Sequence, residues 1–165
     1  MGNTKPHIIR IREAQISDLF YLHLIMHRCQ QQHPDTYTYP HNPIYTLDKL
    51  VYHLGFVATD HKDRPIAFCL LDDIIDPLYP MIPARALKLA NTAVAPEYQG
   101  RHLEYRLACY ALTHYKKCHD FSYAWCTIHP HNPASIKSLA NAGFRLYQAD
   151  YVTPYGIRNI YIQKI

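Results

Sequence analysis

The chain has 165 residues, a formal net charge of +4, 48% apolar residues and 18% charged ones. That length points to one domain, residues 1–165, able to bury about 70% of its unfolded surface without disulfide or metal staples. The composition excludes a disordered chain, and the mild charge, with no basic block longer than Lys116-Lys117, argues against nucleic acid while suiting a moderately anionic ligand.

Residues 7–12 alternate apolar and polar side chains and predict a first strand. Ser17-Asp18 opens a helix, with Leu19, Leu22, His23, Met26 and Cys29 or Gln30 at helical spacing. Residues 30–45 hold three prolines and several tyrosines and read as a loop. This loop is either a wandering surface segment or a wall facing a substrate, since tyrosine offers an apolar face and a hydroxyl; Tyr37 and Tyr39 are its candidate substrate contacts. A second helix is expected over residues 47–53. Residues 55–59 and 65–72 read as two strands around a polar hairpin turn, and residues 84–94 as a third after a proline-rich loop. Leu103, Leu107, Ala108, Ala111, Leu112 and Tyr115 form one apolar stripe of a long helix. Residues 123–128 read as a buried strand. Asn132-Pro133 starts a further helix as cap and first helical residue, and Gly143 suits its left-handed stop. Residues 145–152 and 157–162 form a last hairpin. The order β α α β β β α β α β β is an α/β pattern on a mixed sheet.

The five cysteines are odd in number and lack a Cys-x-x-Cys pair, so they read as buried thiols; Cys126 in particular is a packed thiol of a strand. Of the twelve histidines only His129 and His131 are closely spaced, with no obvious third ligand, and no metal is expected. Apolar runs fall short of the ~20 residues that cross a bilayer, no leader-like segment is visible, and Pro6 stands where a myristoylation motif takes Ser or Thr. No membrane association is expected, and the chain reads as cytoplasmic.

The junction from strand to helix at residues 94–107 is where chemistry is expected. A helix start carries unpaired N–H groups and partial positive charge, which a phosphate can occupy. Many such turns bind nothing, so geometry alone leaves both readings open.

The residues here carry a resemblance. "TAVAPEYQGRHL", followed by a long helix, resembles the acetyl-CoA segment of the GNAT superfamily of N-acetyltransferases. "NPASIKSLANAGF" resembles that family's later helix ending in Gly-Phe, and "IRIREAQISDL" its first strand and helix start. The resemblance implies a GNAT-like, mostly antiparallel central sheet flanked by helices, and acetyl-CoA as co-substrate. It implies that Ala93, Val94 and Ala95 offer backbone groups to the pantetheine arm, that Gln99, Gly100, Arg101, His102, Leu103 and Glu104 form the pyrophosphate loop, and that Asn132 and Ser135 also meet the cofactor.

The loop departs from the family pattern. His102 and Glu104 stand where glycine, and glycine or alanine, are preferred. His102 is expected in right-handed helical space, and Glu104 is expected to repel the pyrophosphate unless Arg101 or Arg106 neutralises it. The family's tyrosine acid is replaced by Leu139, and a glutamate that some members carry by Lys88. His129 is the candidate general base in their place. The implied activity is acetyl transfer from acetyl-CoA to an amine of a small molecule, peptide or protein, by a monomer or homodimer. The alternative is a non-catalytic CoA-binding sensor or interaction module on the same fold.

Overall fold

A computed structural model describes residues 9–32, 42–118 and 120–165. Seven strands, β1 (Arg10–Glu13), β2 (Gly55–Thr59), β3 (Pro65–Asp72), β4 (Ala86–Val94), β5 (Tyr123–Ile128), β6 (Arg145–Thr153) and β7 (Gly156–Lys164), form one sheet in the order β1-β2-β3-β4-β5-β7-β6. Every neighbouring pair is antiparallel except β4 and β5. Four helices flank it: α1 (Leu19–Gln32), α2 (Pro43–Val51), α3 (Leu103–Cys118) and α4 (Pro133–Asn141). Among the described residues no helix is long and apolar enough to cross a membrane.

The sheet separates two apolar layers. On one side, Leu103, Leu107, Ala108, Ala111 and Leu112 of α3 pack with Phe56, Cys69, Leu87, Leu89 and Cys126. On the other, Leu22, Ile25 and Met26 of α1 pack with Val57, Phe68, Leu70, Ala93 and Ala95. A third cluster joins Tyr79, Ala86, Trp125 and Ile160.

Strand β4 changes phase along its length. Leu89 pairs with Leu71 of β3, but Asn91 pairs with Leu70, so Ala90 is an extra residue forming a bulge. A bulge re-aims the side chains beyond it. Leu87 and Leu89 therefore belong to the α3 layer, whereas Ala93 and Ala95, of the same parity, belong to the α1 layer.

Helix α2 starts four residues before the expected 47–53 segment. The Asn42 carboxamide accepts from the N–H groups of Ile44 (3.0 Å) and Tyr45 (3.2 Å), and Pro43 occupies the first turn. Its inner face is anchored by charge: Lys49 Nζ lies 2.9 Å from Asp72 Oδ1, and the Tyr45 hydroxyl donates to Asp72 Oδ2 at 3.2 Å. Burial first, then the nearby Asp72, hold the Tyr45 hydroxyl well above the usual tyrosine range.

Candidate active site

The parallel neighbours β4 and β5 pair only over Ala86–Lys88 and Tyr123–Trp125. Beyond that point β4 stays on β3 up to Val94, and β5 stays on β7 up to Ile128. The two strands therefore part at their carboxyl ends, where open α/β sheets bind ligands. A cleft of about 540 Å³ leads into this wedge. Its walls come from the end of β4, the loop before α3, the start of α3 and the outer face of α4. A smaller cavity of about 60 Å³ lies further in, between Leu89–Thr92 of β4 and Cys126–Ile128 of β5, closed by Met26, Ser135, Leu139 and Arg158.

The backbone of β4 faces this wedge selectively. The Ala95 N–H donates to Ile66 O at 2.9 Å, so Ala95 is committed to β3 and does not line the cleft. Antiparallel alternation commits the main chain of Ala93 likewise and turns that of Thr92 and Val94 outward. Cys29 Sγ and the Gln99 side-chain amide accordingly both reach Val94 O, at 3.2 and 3.3 Å. Of the three residues expected to offer backbone groups, only Val94 has this orientation. Thr92, which the motif did not single out, shares it. Ala93 lines the cleft without offering its main chain, and its side chain lies in the α1 layer.

The loop before α3 holds two left-handed residues. Gly100 has φ +75° with no atom within 4 Å of where a Cβ would stand, so glycine serves the dihedral and not a close approach. His102 has φ +58°, contrary to the right-handed conformation expected for it. That is the conformation the family's glycine would adopt easily, and a histidine holds it at a cost of about 1–2 kcal/mol. Gln99, Gly100, His102 and Leu103 line the cleft; Arg101 does not, its guanidinium lying 5.1 Å from the Tyr98 ring centre. Among the described residues no side chain caps α3, whereas α2 and α4 each carry an asparagine cap. Leu103 and Glu104, the first residues of α3, line the cleft, and the first N–H groups of a helix have no helical partner.

Glu104 departs most from expectation. It is half-buried, and the side chains of Ser135 and Ser138 on α4 lie near enough to its carboxyl to affect its titration. Burial pushes this carboxyl above its ordinary value, and the two serines pull part of the way back. Arg106 is not its counter-ion, since that guanidinium donates to Ile9 O at 3.2 Å.

Asn132 has the dual position that its cap suggested. Its Oδ1 accepts from Ser135 N at 3.2 Å, its Nδ2 donates to Ser135 Oγ at 3.1 Å, and it lines the cleft. Asn132 is thereby bonded to Ser135, the same α4 serine whose side chain bears on the Glu104 carboxyl of α3.

The acetyltransferase (GNAT) family profile matches residues 19–144, more than half of the chain. The chain belongs to the GNAT acetyltransferase family. No curated protein matches its sequence significantly, so the solved structures extend the comparison through the fold. The ribosomal-protein-S5-alanine acetyltransferase of Vibrio fischeri is 16% identical, with 97% of each chain covered and a TM-score of 0.72. A phosphinothricin acetyltransferase of Sinorhizobium meliloti, solved with acetyl-CoA, is 15% identical over 95% of this chain and 88% of that one, at 0.74. NAA60 of Arabidopsis thaliana, also solved with acetyl-CoA, is 15% identical over 96% and 99%, at 0.73.

In this GNAT member the usual acid–base positions are occupied by structure. Leu139 is 5% exposed and packs in the α3 layer. Lys88 Nζ bonds Asp76 Oδ2 at 2.6 Å and lies 4.7 Å from the Trp125 ring centre. His129 follows β5 but lines neither cavity; its Nδ1 accepts from His131 N at 3.1 Å, and partial burial, then Arg158 and His131, lower its pKa. The Cys126 thiol is 3% exposed and pushed far up by burial, as a packed thiol would be. Tyr37 and Tyr39 lie outside the described residues. Cys29 in the cleft and Arg158 in the inner cavity escaped sequence reasoning, because only tertiary packing brings α1 and β7 to the wedge.

Proposed function

We propose that the chain transfers an acetyl group from acetyl-CoA to an amine. The observation that carries this reading is the parting of β4 and β5, with a cleft running from the uncapped start of α3 into the wedge. Its volume of about 540 Å³ lies within the roughly 300–1,000 Å³ of small-molecule sites. The N–H groups of the loop at 99–104 would meet the diphosphate, with Lys137 at the rim adding positive charge. Thr92 and Val94 would bond the pantetheine arm as a partial extra strand, with Asn132 on its far side. That arm directs the thioester toward the inner cavity.

Acetyl-CoA supplies an activated thioester carbonyl. The amine nitrogen bonds to the carbonyl carbon, the carbon–sulfur bond breaks, the nitrogen loses a proton and the thiolate gains one. Holding the two reactants together is the chain's main contribution, worth on the order of 7–11 kcal/mol in favourable cases. The acceptor is an amine of a small molecule, peptide or protein; the activities named for the S5-alanine and phosphinothricin acetyltransferases span both kinds.

The buried Leu139 and the locked Lys88 favour a second reading, a CoA-binding member without turnover. Thermal unfolding tests the shared premise: acetyl-CoA at about 100 times its dissociation constant should add about 2.7 kcal/mol of stability. No shift at millimolar acetyl-CoA would remove both readings. Release of free CoA with any member of an amine panel then selects the enzyme.

A further inference from the structure

The outer cleft and the inner cavity share two lining residues, Thr92 on β4 and Glu104 on α3. A chain-like ligand that enters by the cleft and reaches the wedge passes between them. One side of this passage is a threonine of the splayed strand; the other is a carboxyl group. We propose that Glu104 binds the pantetheine arm as an uncharged acid, so that acetyl-CoA and a proton enter the site together. This inference rests on the acetyl-CoA reading above.

The surroundings decide the charge state. From α4 the neutral hydroxyls of Ser135 and Ser138 face Glu104; from β5 and β3 come the thiols of Cys126 and Cys69, both held protonated by burial. Arg158 lines the inner cavity, and His102 and Lys137 line the outer cleft, yet none of these basic side chains offsets the burial of this carboxyl. An occupying arm removes water from the carboxylate, which disfavours the charged form. The diphosphate arriving at the start of α3 adds like charge, with the same sign of effect. As an acid the group donates instead, and the arm's amide carbonyls are acceptors of the right kind.

The linkage has a definite sign. The Glu104 pKa is raised in the free protein and rises further in the complex. Below the free value the group is already protonated, and binding takes up nothing. Between the two values binding takes up a proton, and affinity falls as pH rises; above both values it is constant again.

Calorimetric titration of acetyl-CoA into the wild type, Glu104→Gln and Glu104→Ala, in buffers of two ionisation enthalpies, reads the protons directly. As pH rises through the window between the two values, wild-type affinity should fall by up to about tenfold per pH unit more than that of either variant, with correspondingly greater proton uptake. Uptake common to all three proteins belongs to the histidines and to the ligand's own phosphate. The alanine variant covers the case in which the glutamine variant does not fold. Equal uptake and equal pH slopes in all three would overturn the inference while leaving acetyl-CoA binding intact. So would a Gln variant that binds more weakly at about pH 8 without a change in uptake. Failure of all three proteins to bind acetyl-CoA would overturn the inference together with the function it rests on.

Discussion

The tetrapeptide Pro-His-Asn-Pro occurs twice, at residues 40–43 and 130–133, and each copy opens a helix. In both, the asparagine caps the helix and the proline fills its first turn. The first copy starts α2, where Asn42 is exposed and the helix docks through the buried pair of Lys49 and Asp72. The second starts α4, where Asn132 lines the cleft and its free amide reaches Ser135. The same four residues thus define a helix start but not a role. The role comes from the strand that precedes the copy: β5 delivers Asn132 to the wedge.

The largest effect is expected at the anchor of α2. Asp72→Ala leaves Lys49, 5% exposed, buried with only the longer 3.8 Å contact to the half-exposed Asp48, and should cost about 3–5 kcal/mol in chemical denaturation. Acetyl-CoA affinity of the still-folded fraction should be unchanged; a specific loss of affinity would show that α2 also shapes the site. Next is Leu139→Tyr, which restores the family's usual residue at a tightly packed position and should cost about 1–3 kcal/mol through overpacking. A gain in CoA release despite that cost would identify proton delivery as what the native sequence lacks.

The two caps give the sharpest test. Asn42→Ala and Asn132→Ala should each cost about 1 kcal/mol, since each removes the same kind of bond. Only Asn132→Ala should also weaken acetyl-CoA binding, and Asn132→Ser should recover stability but not affinity. Equal binding by the Ser variant and wild type would reduce Asn132 to a cap. The smallest effect is expected at the uncapped α3. His102→Gly relieves about 1–2 kcal/mol of left-handed strain but adds about 0.5–1 kcal/mol of chain entropy. The net gain of 0 to about 1.5 kcal/mol raises the melting temperature by no more than about 6 °C, taking roughly 2–4 °C per kcal/mol for a chain this long.

Much of the fold was legible where local chemistry bounds an element on both sides. The strands Gly55–Thr59, Pro65–Asp72 and Tyr123–Ile128 fall where short apolar runs and turn residues put them. The start of α2 was missed although Asn42-Pro43 carries the signal read correctly at Asn132-Pro133, because neighbouring prolines and tyrosines masked its helical spacing. Several residues that line the cleft, Gln99, Gly100, His102 and Asn132 among them, were named by motif resemblance. The polarity of the site was not legible: Glu104 sits in the first turn of α3, but the side chains that bear on its charge include Ser135 and Ser138, more than thirty residues later. The face that Ala93 and Ala95 occupy was hidden for a related reason, since "LANTAV" gives no alternation by which to locate an inserted residue.

That inserted residue, Ala90, makes β4 sensitive to deletion in a way that substitution tables do not capture. Loss of a single codon between Leu89 and Val94 would remove the bulge and let the ladder with β3 run without interruption. Every residue on one side of the lesion would then exchange layers with its neighbours. If the stretch after the bulge moves, the small side chains of Ala93 and Ala95 face α3 and Val94 faces α1. The main-chain groups that reach into the wedge change identity as well. A one-residue deletion elsewhere in a surface loop shortens the loop; here it would convert the binding strand into an ordinary strand of the sheet, with composition, charge and helix content almost unaltered.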